Sequence, residues 1–133
     1  MDGVILTPLK QIHHPKGDVF HAMKKSDAGF NGFGEAYFST IHKSDIKGWK
    51  KHTLMTLNLI VPLGEIEFII YNGTTFFSTK LSQTNYQRLT IAPNLWVAFR
   101  GLQTTNMLLN LANIEHDPLE AENCILENIK YEW

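Results

Sequence analysis

Glu65-Ile66-Glu67-Phe68-Ile69-Ile70-Tyr71 alternates, so an extended chain puts Ile66, Phe68 and Ile70 on one face. Asn72-Gly73 follows at once, and Thr74-Thr75-Phe76-Phe77 is again rich in strand-forming residues. Asn-Gly adopts the positive φ angles that tight hairpin turns need, so this stretch predicts two antiparallel strands joined by a turn. Working outward, strand-like runs cover Asp18 to Met23, Glu35 to His42, Thr53 to Val61, Tyr86 to Ile91, Leu95 to Arg100 and Thr105 to Ala112. Pro15-Lys16-Gly17, Asn31-Gly32, Ser82-Gln83 and Pro93-Asn94 punctuate them as turns. Many short strands at such spacing predict an all-β barrel or jelly roll of two antiparallel sheets. The one helix signal is Asp117-Pro118-Leu119-Glu120-Ala121-Glu122, with Asp117 as N-cap and Pro118 at the first helical position.

The chain has 133 residues, which predicts a single domain over 1–133. It is 44% hydrophobic and 19% charged, ordinary for a globular domain and far from a disordered one. The formal net charge of -1 argues against a nucleic-acid or anionic-membrane surface. Any phosphate must therefore be held by a few local cations. Cys124 is the single cysteine, so no intrachain disulfide forms, and a reduced cytoplasmic setting is expected. The N-terminus shows no signal-peptide pattern. The longest apolar stretch, Leu57 to Leu63, is too short to span a bilayer.

The centre of the chain is Lys47-Gly48-Trp49-Lys50-Lys51-His52-Thr53-Leu54-Met55-Thr56-Leu57-Asn58, running on to Gly64. Here the chain resembles the dTDP-4-dehydrorhamnose 3,5-epimerase family, the RmlC-like cupins. Lys16-Gly17, Gly34-Glu35-Ala36-Tyr37-Phe38-Ser39, Ile91-Ala92-Pro93-Asn94-Leu95-Trp96 and His116-Asp117-Pro118 agree with it in order. The resemblance spans roughly residues 10 to 120. It implies a cupin barrel acting on nucleotide-linked deoxysugars.

Metal-binding cupins resemble a frame of His-x-His, a later Glu and a closing Gly, with a second His further on. Matched to that frame, the ligand positions hold Lys50, His52 and Leu57, and the late His falls on Val97 or Ala98. One imidazole does not make a closed transition-metal site, so no metal and no other cofactor is expected. A metal-dependent oxygenase is accordingly a poor reading. His13, His14, His21, His42 and His116 read as surface or hydrogen-bonded histidines.

In the resembled family a His of an Arg-Gly-Leu-His run removes a proton next to the sugar ketone, and a later Tyr protonates the other face. Lys50 falls on the base position, His52 lies two residues on, and Asn110 falls near the Tyr position. These three are the candidate catalytic residues. His52 moves protons near neutral pH without adjustment, starting at about 6.5, whereas Lys50 starts at about 10.4. Lys50 is therefore better suited to holding an enolate oxygen as a cation, with His52 as the base. Asn110 can hydrogen-bond a sugar oxygen or polarise the carbonyl. The competing readings make Lys50 a solvated charge and Asn110 a partner of strand-end backbone.

The family's phosphate-binding cations match Lys16 and Lys47, and its Gln matches Glu35. Lys lacks the bidentate fork of Arg, so a looser grip is expected. Tyr37 shares a strand face with Glu35 and either stacks on a base or sugar or packs at the rim. Arg100, ending its strand, either points at the barrel mouth or forms a surface salt bridge. The resemblance implies a nucleotide-linked 4-keto-6-deoxysugar epimerase or isomerase serving surface polysaccharide synthesis. A non-catalytic sugar-binding cupin is the alternative. It also implies a homodimer, in which the N-terminal segment Val4 to Ile12 adds to the partner's sheet.

Overall fold

The computed structural model describes residues 1–133 and contains twelve strands. They are β1 (Val4–Pro8), β2 (Gln11–Ile12), β3 (Val19–Phe20), β4 (Glu35–His42), β5 (Ile46–His52) and β6 (Leu57–Leu63). The rest are β7 (Glu65–Tyr71), β8 (Phe76–Ser82), β9 (Gln87–Ile91), β10 (Trp96–Gly101), β11 (Thr105–Ala112) and β12 (Ala121–Asn123). Two five-stranded antiparallel sheets, in the orders β1-β9-β6-β11-β4 and β12-β5-β10-β7-β8, face each other as a jelly roll. No helix is long and apolar enough to cross a membrane.

Alternation builds the core. Leu57, Leu59 and Val61 of one sheet meet Ile66, Phe68 and Ile70 of the other, and all six are buried in one cluster. Each such side chain contributes about 1.5–3 kcal/mol when fully buried. The opening hairpin forms, but Tyr71 pairs with Phe76, so the loop has four residues and the return strand starts after Thr75. The Asn72 carboxamide oxygen accepts the backbone N–H groups of Thr74 and Thr75, which settles the longer loop. Between β6 and β7 the chain reverses at Gly64, whose φ is +78° and where a Cβ would stand 2.2 Å from the Thr105 carbonyl oxygen. Only glycine fits there.

Three expectations change. The helix expected over 117–122 is a single 3₁₀ turn, Pro118–Glu120, capped by Asp117, whose carboxylate accepts the Leu119 N–H. The chain then goes straight into β12, because pairing with β5 is available. The run Asp18 to Met23 pairs only at Val19–Phe20, with β2. The N-terminal strand β1 lies along β9 of its own chain rather than extending away from it.

The outer faces of the sheets are covered by irregular segments. Residues 22–29 lie over Asn58, Arg88 and Thr90. The C-terminal segment packs Leu126, Ile129, Tyr131 and Trp133 against Trp49, Ile69 and Ala98. That leaves the interior between the sheets, near edge strands β4 and β12, as the place where a cavity remains.

Candidate active site

A cavity of about 350 Å³ lies between the sheets beside their edge strands. Leu57, Leu59, Leu108, Val97 and Phe99 form its apolar wall, and Tyr37, Lys47, Lys50, His52 and Asn110 its polar side.

A bulge in β5 decides which side chains enter it. Lys50 pairs with Val97 and Lys47 with Phe99, so Gly48 and Trp49 together oppose Ala98. In a regular strand, residues three apart point to opposite faces. The extra residue restores the inward direction, so Lys47, Lys50 and His52 all reach the cavity while Trp49 packs outside. Gly48 permits this close approach, since a Cβ there would stand 2.5 Å from the Ala98 Cβ. Lys51 is directed outward, pairs with Glu122 at 3.0 Å and lies over the Trp96 ring.

His52 stands between the cavity and a buried carboxylate. It is 8% exposed, and its Nδ1 bonds Glu120 Oε1 on the buried side. Glu120 Oε2 accepts the backbone N–H groups of Thr53, Leu54 and Met55 at 3.1, 3.1 and 3.2 Å. Burial alone raises the Glu120 pKa. The His52 hydrogen bond, the N–H groups of Leu54 and Met55 and the charge of His52 outweigh it and lower the carboxyl below its ordinary range. An ionised carboxylate only accepts, so in its neutral form His52 carries its proton on Nδ1 and presents Nε2 as a lone pair. Nε2 has no partner in the chain. A base with one nitrogen oriented by a carboxylate and the other free is the arrangement proton abstraction requires.

Nothing here fits a transition metal. The positions beside His52 in the metal-cupin frame hold Lys50, Leu57 and Val97, which line this same cavity and are no ligand set. No group of three or more His, Cys, Asp or Glu stands close enough to hold an ion.

The chain was compared with known proteins. No protein-family model matches it, and no curated protein sequence does. Among solved structures it is 31% identical to a dTDP sugar isomerase from Desulfovibrio desulfuricans G20, with a TM-score of 0.94 over 99% of this chain and 91% of that one. The chain belongs to the RmlC-like cupin family of dTDP-sugar isomerases and epimerases. The fold also matches the 3,4-ketoisomerase QdtA from Thermoanaerobacterium thermosaccharolyticum, with a TM-score of 0.82 at 21% identity over 92% of this chain and 88% of that one. It matches NovW, a 4-keto-6-deoxy sugar epimerase from Streptomyces spheroides, with a TM-score of 0.82 at 12% identity over 92% and 69%.

In this RmlC-like cupin, five of the eight residues singled out from sequence line one cavity: His52, Lys50, Asn110, Tyr37 and Lys47. Three do not. Lys16 sits in the exposed turn between β2 and β3. Glu35 starts β4, paired with Ala112 beyond the cavity. Arg100 is outward because its strand neighbours Val97 and Phe99 point in; it bonds Glu67 at 2.8 Å and lies against the Trp133 ring. One of the five carries a duty the sequence did not show, and one follows its competing reading as a backbone partner. Lys47 Nζ donates to the Thr40 carbonyl at 2.7 Å and clasps β5 to β4. The Asn110 amide is committed inside the protein and does not face a sugar oxygen freely. Glu120 was read only as part of a short helix. No local signal ties it to His52, 68 residues away.

Proposed function

We propose that this protein is an isomerase or epimerase of a nucleotide-linked 4-keto-6-deoxysugar, working by proton transfer next to the ketone. The observation that carries the reading is the His52–Glu120 pair at the wall of a largely apolar cavity. His52 Nε2 removes the hydrogen on the carbon beside the ketone and later returns it. The enolate charge that forms meets the Lys50 ammonium, which has no ion-pair partner in the chain and lines the same cavity. Lys47, at the cavity's edge, supplies a second cation for the diphosphate. The family to which the chain belongs supports this substrate class. The reading extends to a cytoplasmic homodimer serving surface polysaccharide synthesis; exposed Phe33 and Phe38 support a contact between copies.

The test is solvent-deuterium exchange into dTDP-4-keto-6-deoxyglucose and related keto-deoxysugar nucleotides. Deuterium entering beside the ketone, and lost in His52→Asn, supports the proposal. Tight binding with no exchange supports a sugar-binding cupin instead. Light scattering at micromolar concentration tests the dimer.

A further inference from the structure

Trp49 sits where β5 leaves the ladder of β10. Lys50 pairs with Val97 and Lys47 with Phe99, so the two residues between them, Gly48 and Trp49, oppose Ala98 alone. A bulged residue loses its ladder partner, and its buried backbone groups need another. Trp49 finds Cys124, the residue that follows β12. The Trp49 N–H donates to the Cys124 carbonyl at 3.1 Å, and the Cys124 N–H donates back to the Trp49 carbonyl at 3.1 Å. The chain that comes next takes up the ring. Trp49 borders the cavity, yet it is 1% exposed and its side chain belongs to the outer cluster, on Ile69 and Ala98 and against Leu126, Ile129, Tyr131 and Trp133. Its indole N–H has no hydrogen-bond partner there, so packing alone holds the ring. Trp133 in turn lies against the Arg100 guanidinium, which Glu67 fixes.

The bulge decides what β5 sends into the cavity. β12 anchors one end of the strand, pairing Asn123 with Lys50 and Ala121 with His52. With Lys50 and His52 facing in, a strand of regular period would put Gly48 in next and turn Lys47 out. Lys47 reaches the cavity because one extra residue stands between them. The segment after β12 holds that extra residue by both its backbone and its ring.

We infer that Trp49 is a positioning residue: clamped from outside by the segment that follows β12, it holds the bulge that turns Lys47 into the cavity, and so it sets the grip on the substrate's diphosphate. The inference rests on the isomerase reading above, in which Lys47 meets the diphosphate. It divides the work along one strand. His52 and Lys50 keep their places through β12 and Glu120, so loosening Trp49 acts on binding and spares proton transfer.

The experiment is calorimetry with TDP on wild type, Trp49→Leu, Lys47→Met and the double variant, together with deuterium exchange into dTDP-4-keto-6-deoxyglucose. Trp49→Leu should raise the Kd for TDP about tenfold, as Lys47→Met does, and the double variant should bind no more weakly than Lys47→Met alone. KM should rise with it, while kcat stays within a few-fold. Arg88→Met, destabilised on the other sheet, should keep the wild-type Kd, which separates this role from mere support of the fold. Trp133→Ala loosens the clamp without touching β5; it should raise the Kd by a smaller factor, and it decides the matter if Trp49→Leu does not fold. Either variant binding TDP like wild type, once folded, overturns the inference. So does a double variant whose loss is the product of the two single losses, or a kcat that falls as far as KM rises. Unchanged affinity in Lys47→Met overturns it while leaving the isomerase reading intact. A wild type that binds TDP and exchanges no deuterium overturns the isomerase reading alone, and the role of Trp49 in the diphosphate grip is then supported or overturned by the Kd values.

Discussion

Two ionic networks are buried in this small barrel, and they are built to opposite rules. Around Arg88, which is 0% exposed, every nitrogen is occupied: Nε by Asn58, Nη1 by Asp27 and the Ala22 carbonyl, Nη2 by the Ala28 carbonyl. Thr90 closes the set on the same Asn58 oxygen. Around His52, the carboxylate of Glu120 is equally saturated, by His52 and three backbone N–H groups, yet one nitrogen of the ring is left without a partner. Saturation stabilises a structure; a single unsatisfied atom at the wall of a cavity equips it for chemistry. The first network ties residues 22–28 to the outside of a sheet, and the second points inward.

The sharpest break of this comparison is Glu120→Gln. The three N–H groups on Oε2 hold the Gln oxygen in that place, so the NH₂ must face His52 Nδ1. The ring then accepts at Nδ1 and carries its hydrogen on Nε2, where the lone pair is needed. Activity should fall roughly 10²–10⁴-fold, as far as in His52→Asn, although a hydrogen bond remains. Deuterium exchange at saturating substrate measures it, and a variant within a few-fold of wild type would mean Glu120 only supports the fold. In contrast, Arg88→Met should leave exchange by the folded fraction unchanged and lower stability by about 3 kcal/mol, because buried acceptors lose their donors. The urea midpoint and the exchange rate, taken together, separate the two networks.

These networks also show what sequence can and cannot expose. The β class, the inward face of β7 and the ends of β4 and β11 follow from period-two alternation between turn residues, whereas β6, expected from Thr53, starts at Leu57. His52 and Lys50 were visible because they share one strand and one motif. Glu120 was not, because its role depends on β12 pairing with β5, a long-range register that no local pattern encodes. Lys47 illustrates the subtler limit. Parity places it opposite Lys50, and only the bulge at Gly48–Trp49 brings both inside. Arg100 was open between the barrel mouth and a salt bridge, and Glu67 and Trp133 hold it as the second.

Lys47 itself gives an intermediate effect. Its ammonium already donates to the Thr40 carbonyl, so only its remaining hydrogens are free for phosphate. Lys47→Met should weaken TDP binding by about 1.5 kcal/mol, the low end for a charge-assisted contact, and flatten the salt dependence. Calorimetry with TDP as the probe reads both. Unchanged affinity would leave Lys47 as a clasp between strands and put the diphosphate elsewhere.

The smallest effect lies in the acid range, and it compares the carboxylates of the two networks directly. Asp27 is lowered chiefly by the Lys24 N–H, with Arg88 adding to it against the cost of burial. Burial raises Glu120, and His52 with the N–H groups of Leu54 and Met55 outweighs it and lowers the carboxyl. A carboxylate lowered by folding contributes stability that is complete above its unfolded pKa, about 4, and is lost as pH falls through the lower folded value. Stability should therefore hold level above about pH 5 and decline below about 4. Each variant removes one titrating group: Asp27→Asn and Glu120→Gln should both flatten that decline. Glu120→Gln should flatten it more, because protonating a buried carboxyl disturbs four hydrogen bonds at once, whereas Asp27 is reached by solvent. Urea midpoints between pH 3 and 7 make the comparison. A steeper decline in Glu120→Gln than in wild type would show that the acid sensitivity arises outside the His52–Glu120 pair.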